Sequence, residues 1–130
     1  MQSRKIFQNC WFTLLCSAAA IAHAETVQLS VQKLSQAEYN QKIQQYTDQV
    51  NLSKTILDAE GSSATAQEQT QAFCTRLNAY RQILKISQEN ATLEMANLMQ
   101  FAAQHYLQQQ QESLQSSGLN ESAFCSTDSK

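Results

Sequence analysis

Few side chains in this chain have types that do chemistry, and their spacing decides what they could do. There are four cysteines, Cys10, Cys16, Cys74 and Cys125, and two histidines, His23 and His105. Zinc sites need Cys and His clustered at short spacing, and the sequence has no such cluster. A nucleophile–base dyad would need His105 beside a free thiol. Met95, Met99 and His105 have ligand types that could hold a haem on facing helices, but there is no CxxCH attachment motif. Core packing for the two methionines and a boundary position for His105 is the expected reading. Acid–base work on a glycoside needs two carboxyls converging in a cleft. Asp58 and Glu60 only flank a helix end, and Glu89 and Glu94 fall on different helix faces. No glycine-rich phosphate loop exists, and Arg76 and Arg81 do not share a face well. The expectation is a chain without enzymatic activity, cofactor or metal.

The first residues bear on compartment. Arg4 and Lys5 give a positive start, Trp11 to Ile21 a short apolar run, and Ala22-His23-Ala24 a small-x-small cleavage site. These are the three parts of a secretory signal. A bilayer-spanning helix takes about 20 apolar residues, more than this run supplies. Cys16 resembles a lipobox cysteine only loosely, because Leu15 stands where that pattern has a small residue. Residues 1–24 are therefore expected to leave as a signal, taking Cys10 and Cys16 with them. Losing Arg4 and Lys5 shifts the formal charge from −2 to −4. An acidic product argues against nucleic acid and against anionic membrane surfaces, both of which select basic patches. Stable membrane insertion after cleavage is not expected, and the compartment is expected to be periplasmic or extracellular.

Composition points to helix. The chain has two Gly and no Pro, too few to turn an all-β fold. Residues 25–34 are the exception. Val27, Leu29 and Val31 alternate with polar residues at strand spacing, and no second strand is available to pair with them. They read as an extended arm, either lying on the helices or adding to a partner's sheet edge.

A single helical domain is expected over 35–130. Ser35-Gln36-Ala37-Glu38 is a capping box, Ser35 receiving the N–H of Glu38 and Glu38 reaching back to that of Ser35. Leu34 and Tyr39 bracket the cap as a hydrophobic staple. Tyr39, Ile43, Tyr46, Val50 and Leu57 then recur on one face of a helix over about 36–59. Gly61-Ser62-Ser63 ends it, and Thr65 to Glu68 offers a second capping box.

The stretch 65–115 fits two arrangements. One is a hairpin of helices over about 66–86 and 91–115, bent at Ser87 and Asn90, whose short polar side chains favour caps. Leu93, Met95, Ala96, Met99, Ala103, Tyr106 and Leu107 would be the inner face of its second helix. The other is one unbroken helix, since the apolar spacing runs through Ser87. The cysteines arbitrate. An unbroken helix would set Cys74 roughly 60 Å from Gln115 at about 1.5 Å per residue. The residues from Gln115 to Cys125 reach at most about 35 Å. Export makes a Cys74–Cys125 disulfide the expectation, and only the hairpin permits it. Gly118 would reverse the chain, and Asn120 would cap a last turn over 121–124. The expected fold is a small antiparallel bundle of about three helices with one disulfide.

Three N-x-S/T sequons occur, at Asn51, Asn90 and Asn120. The segment Ala72-Phe73-Cys74 with Tyr80 is faintly similar to the Phe-Cys helix of disulfide-bonded helical immunity proteins of type VI secretion. Arg76-Leu77-Asn78 stands where that pattern has its Gly-Tyr pair. Export, acidity, small size and one disulfide together suggest a protein that binds one protein partner, as an inhibitor or immunity protein does. A periplasmic chaperone is the alternative, with an exposed apolar face and a homodimer as its marks. A structural or adaptor subunit of an envelope assembly, docked through Val27, Leu29 and Val31, is another.

Overall fold

The computed structural model describes residues 33–125. The signal over 1–24 and the arm residues Val27, Leu29 and Val31 lie outside the described residues. Three α-helices follow one another: α1 (Gln36–Leu57), α2 (Ala66–Glu89) and α3 (Ala96–Ser116), with a final 3-10 turn, Glu121–Ala123. No strand occurs among the described residues. The fold is a small all-α bundle.

Both N-terminal boundaries are set locally. The Ser35 hydroxyl accepts the Glu38 N–H at 3.3 Å, and the Glu38 carboxylate accepts the Ser35 N–H at 2.8 Å. Thr65 and Glu68 repeat the arrangement at α2, at 3.2 and 2.7 Å. These bonds satisfy donors that a helix start leaves unpaired. Leu34 packs beside Tyr39, which is 1% exposed. α1 ends at Leu57 rather than Ala59, where Asp58 caps it by donating its N–H to the Lys54 carbonyl. Gly61 at φ +70° then turns the chain, a conformation costly for residues with a Cβ.

α2 is the middle helix. α1 and α3 each pack along it far more than on one another. Its sequence explains this, because it carries two adjoining stripes. Ala72, Arg76, Ala79, Ile83, Ile86 and Ser87 are all buried. Arg76 and Ser87 of this set reach α1 residues. A second stripe bears Phe73, Leu77 and Tyr80, and Tyr80 stacks on Tyr106 of α3 with ring centroids 3.9 Å apart. A helix with one apolar face could bury only one neighbour.

The bend falls later than the sequence suggests. Ser87 does not mark it; it lies inside α2, fully buried, with its hydroxyl 2.9 Å from that of Tyr39. A hydroxyl with a buried partner need not compete for the helical backbone. Asn90 is the C-cap. Its side chain donates to the Ile86 carbonyl and accepts the Leu34 N–H, both at 2.8 Å. The turn that follows delays α3 to Ala96, five residues past the expected start at 91. Gln36 of α1 holds this turn by accepting the Glu94 N–H at 2.8 Å.

The far end is closed covalently. Cys74 and Cys125 are disulfide-bonded, with Cα atoms 5.5 Å apart and a sequence separation of 51. Gly118, at φ +69°, reverses the chain after α3. Asn120 caps the 3-10 turn by accepting the Ala123 N–H at 3.1 Å. Phe124 meets Phe73 edge-on at 6.4 Å, and Glu121 pairs with Arg81 of α2.

Two outcomes follow from these connections. Closing so long a loop stabilises by about 4 kcal/mol through the unfolded chain. Cys74→Ser is therefore expected to lower the melting temperature by about 15 to 30 °C; an unchanged calorimetric transition would show that the bond contributes nothing. The two capping carboxylates are held below the ordinary glutamate value of 4.5, first by backbone and then by side-chain hydrogen bonds from Ser35 and Thr65. A carboxylate with a depressed folded pKa stabilises the fold above its unfolded pKa, and loses that contribution as pH falls through the folded value. Melting temperature should thus decline with acid below about pH 4.5. A double Glu38→Gln, Glu68→Gln variant keeps the box geometry but cannot titrate, so its decline should be shallower.

Candidate functional site

The interior is built to hold its helices in one register. Arg76 is 9% exposed and binds two side chains of α1. Its Nε donates to Ser53 Oγ at 2.7 Å, and its two terminal nitrogens donate to the Asp58 carboxylate at 3.1 and 3.0 Å. The Ser53 hydroxyl in turn donates to the Val50 carbonyl at 2.6 Å. Burial works against the charged guanidinium, but Asp58 and then Tyr106 more than offset it and push its pKa up. Burial, and Tyr106 beside it, also raise the Tyr80 hydroxyl. Every buried side-chain nitrogen and oxygen among the described residues has a partner. None is left over to greet a ligand.

Arg76, unlike Arg81, is a structural side chain. A signal was there: it replaces an apolar residue in the run Ala72, Arg76, Ala79, Ile83, and a buried Arg demands an acid. Asp58, at the end of α1, is that acid. The other residues singled out in the sequence sit apart. His105 is exposed on α3, and Asp58 is committed to Arg76. Among the described residues, no group of three or more His, Cys, Asp or Glu could hold a metal ion. No helix among them is long and apolar enough to cross a membrane.

What stands out is on the surface. The first half of α3 turns large apolar side chains to solvent: Leu98 is 55% exposed and Phe101 69%, with Met95 at the cap 54%. The inner face of α3 carries fewer residues than its spacing suggests. Ala96 and Ala103 are fully buried, whereas Ala102 lies outside, and Met95 is out of phase because it precedes the helix. His105 lies parallel to Phe101 at 6.1 Å, extending the same strip by one turn. Leu98, Phe101, Ala102 and His105 share one side of the helix by their spacing.

Met95 carries a second feature. It is the N-cap of α3 at φ +66°, the only non-glycine at positive φ among the described residues, and its side chain makes no capping bond. A residue with a Cβ costs roughly 1–2 kcal/mol there. Met95 thus combines an exposed apolar side chain with an unfavourable backbone conformation.

A groove of about 380 Å³ lies between α2, α3 and the C-terminal tail. Leu77, Leu107, Leu114 and Leu119 line it, with Arg81 and Glu121 at its rim already paired to each other. With its one cation neutralised, the groove has little to orient a charged ligand. No family model, curated protein or solved structure matches the chain.

Met95→Gly tests the cost of this backbone conformation. Glycine removes the left-handed penalty, so unfolding free energy should rise by about 1 kcal/mol in denaturant melts. A fall of that size would mean the Met95 side chain holds the turn.

Proposed function

We propose that this is an exported, non-enzymatic protein that binds one protein partner through the outward strip of α3, as an inhibitor or immunity-type protein does. The observation that carries this reading is the exposure of Leu98 and Phe101, with Met95, on a bundle whose helices are held in register. Contact residues held rigidly before binding lose little entropy on binding, which favours one partner of fitting shape. A disulfide-closed loop and a paired Arg76 supply that rigidity. Aromatic and long apolar side chains are the usual centre of such interfaces. The disulfide is compatible with an oxidising compartment, in keeping with the signal read over 1–24.

The chaperone alternative shares the exposed apolar strip. It would call for a broad adaptable surface, whereas this strip spans about two helical turns. The adaptor alternative rests on Val27, Leu29 and Val31, outside the described residues.

Phe101→Lys tests the proposal. The site is exposed, so the change should leave stability within about 0.5 kcal/mol. Native affinity purification of the unaltered protein should retain one stoichiometric protein, and the Phe101→Lys protein should lose it. A partner retained equally by both would remove α3 from the account. Many substoichiometric envelope proteins, lost together, would favour the chaperone.

A further inference from the structure

The segment 120–125 is bound to the helices by side chains alone. α3 ends in a closed cap: Gly118 donates its N–H to the Gln115 carbonyl at 3.0 Å, and Leu119 to that of Leu114 at 2.9 Å. Beyond Leu119 the backbone bonds close on the segment itself. Ala123 donates to Asn120 at 3.2 Å, and Phe124 and Cys125 both donate to Glu121, at 2.9 and 2.8 Å. Among the described residues, no backbone hydrogen bond joins 120–125 to a helix, and no residue of the segment is buried. The Cys74–Cys125 bond, the Glu121–Arg81 ion pair and the edge of Phe124 on Phe73 attach it. An exposed ion pair adds little to such an attachment.

What lies under the segment is apolar. Asn120 and Glu121 form one wall of the groove floored by Leu77, Leu107 and Leu114. Phe124 closes a second hollow over Phe73 and Leu114. The two sulfurs are within reach of a reagent. Cys74 and Cys125 are only half-buried, and they line a surface hollow together with Ala66, Gln67 and Thr70.

We propose that 120–125 is a strap with a redox latch: reduction of Cys74–Cys125 by a dithiol releases it and uncovers the apolar floor. This goes beyond the reading of the outer strip of α3 and does not rest on it. The co-reactant is a dithiol of the CxxC type. One of its thiolates attacks a sulfur of the disulfide and expels the other cysteine as a thiolate. The second sulfur of the dithiol then displaces the remaining cysteine. The reductant loses two electrons and two protons and becomes a disulfide, while Cys74 and Cys125 gain them and become thiols. The hinge is the cap at Gly118 and Leu119, whose bonds belong to α3 and outlast the release. Once detached, a single 3-10 turn does not hold its shape in water.

The helices keep their register without the strap. Arg76 with Ser53 and Asp58, Tyr39 with Ser87, and Asn90 with Leu34 all lie outside 120–125. So does the stacking of Tyr80 on Tyr106. Reduction therefore lowers the melting transition but leaves a folded bundle beneath it.

The purified full chain, with and without excess dithiothreitol and well below its melting transition, tests this. Reduction should leave the far-ultraviolet circular dichroism unchanged and the melt cooperative. Hydrogen exchange at the amides of Ala123, Phe124 and Cys125 should speed up by about tenfold or more, with that of Leu119 still protected. Fluorescence of anilinonaphthalene sulfonate should rise several-fold as the floor is uncovered. A Cys74→Ser, Cys125→Ser protein should behave in the same way without reductant. In a glutathione buffer, Arg81→Glu should shift the equilibrium several-fold towards the dithiol, and adding Glu121→Arg should restore it. A disulfide that resists dithiothreitol overturns the latch. Helical signal lost on reduction shows that the bond holds the bundle rather than a strap, and overturns the proposal. Unchanged exchange overturns release, and faster exchange without a rise in dye fluorescence overturns the uncovered floor. An equilibrium unmoved by Arg81→Glu removes the ion pair from the latch.

Discussion

The bond between Cys74 and Cys125 is the constraint on which the rest depends. It fixes the beginning of α2 to the chain beyond α3, so the two helices must run antiparallel and the tail must fold back. The core alone would do this poorly. Its buried apolar residues are mostly small, with Ala72, Ala79, Ala96 and Ala103 beside Tyr39, Val50, Leu77, Ile83 and Ile86. Alanines let helices approach but bury little surface each, at roughly 25 cal/mol per Å². A slim bundle of this kind gains much of its stability from a crosslink.

Where apolar packing is thin, polar pairs between the helices set the register. Arg76 reaches Ser53 and Asp58, Ser87 meets Tyr39, and Asn90 links the end of α2 to the start of α1. Each is specific in direction. Sliding α1 by one turn along α2 would leave the guanidinium without its carboxylate, and an uncompensated buried charge is strongly destabilising. Such a pair therefore penalises misaligned bundles more than it strengthens the aligned one. The consequence for α3 is a fixed outer face: its inner side is committed to α2 through Tyr106 and Ala103, so Leu98 and Phe101 stay outside.

Much of the fold could be read from residue types. The capping box at Ser35 is a local pattern with a local cause, and the helix count follows from scarce Gly, absent Pro and apolar spacing. The hairpin was legible because a disulfide imposes a distance that one long helix cannot meet. Three features were not. Ser87 resembles a helix breaker until Tyr39, remote in sequence, gives its hydroxyl a partner. The late start of α3 depends on Gln36 and Asn90 gripping the turn from another helix. The exposure of Met95 and Leu98 was hidden because periodicity identifies an apolar face without saying whether anything covers it. That last ambiguity is the one on which the proposed function turns. A continuous apolar pattern along one helix divides here into an inner strip that packs and an outer strip that does not.

An outer strip without cover, on a scaffold held rigid, is the central claim. Photocrosslinking in intact producing cells tests it most directly. A benzophenone side chain would be placed at position 101 on α3, and in a second protein at position 44 on the exposed side of α1. The account predicts discrete crosslinked protein products from position 101 and none from position 44. Equal products from both, or none from position 101, would contradict it.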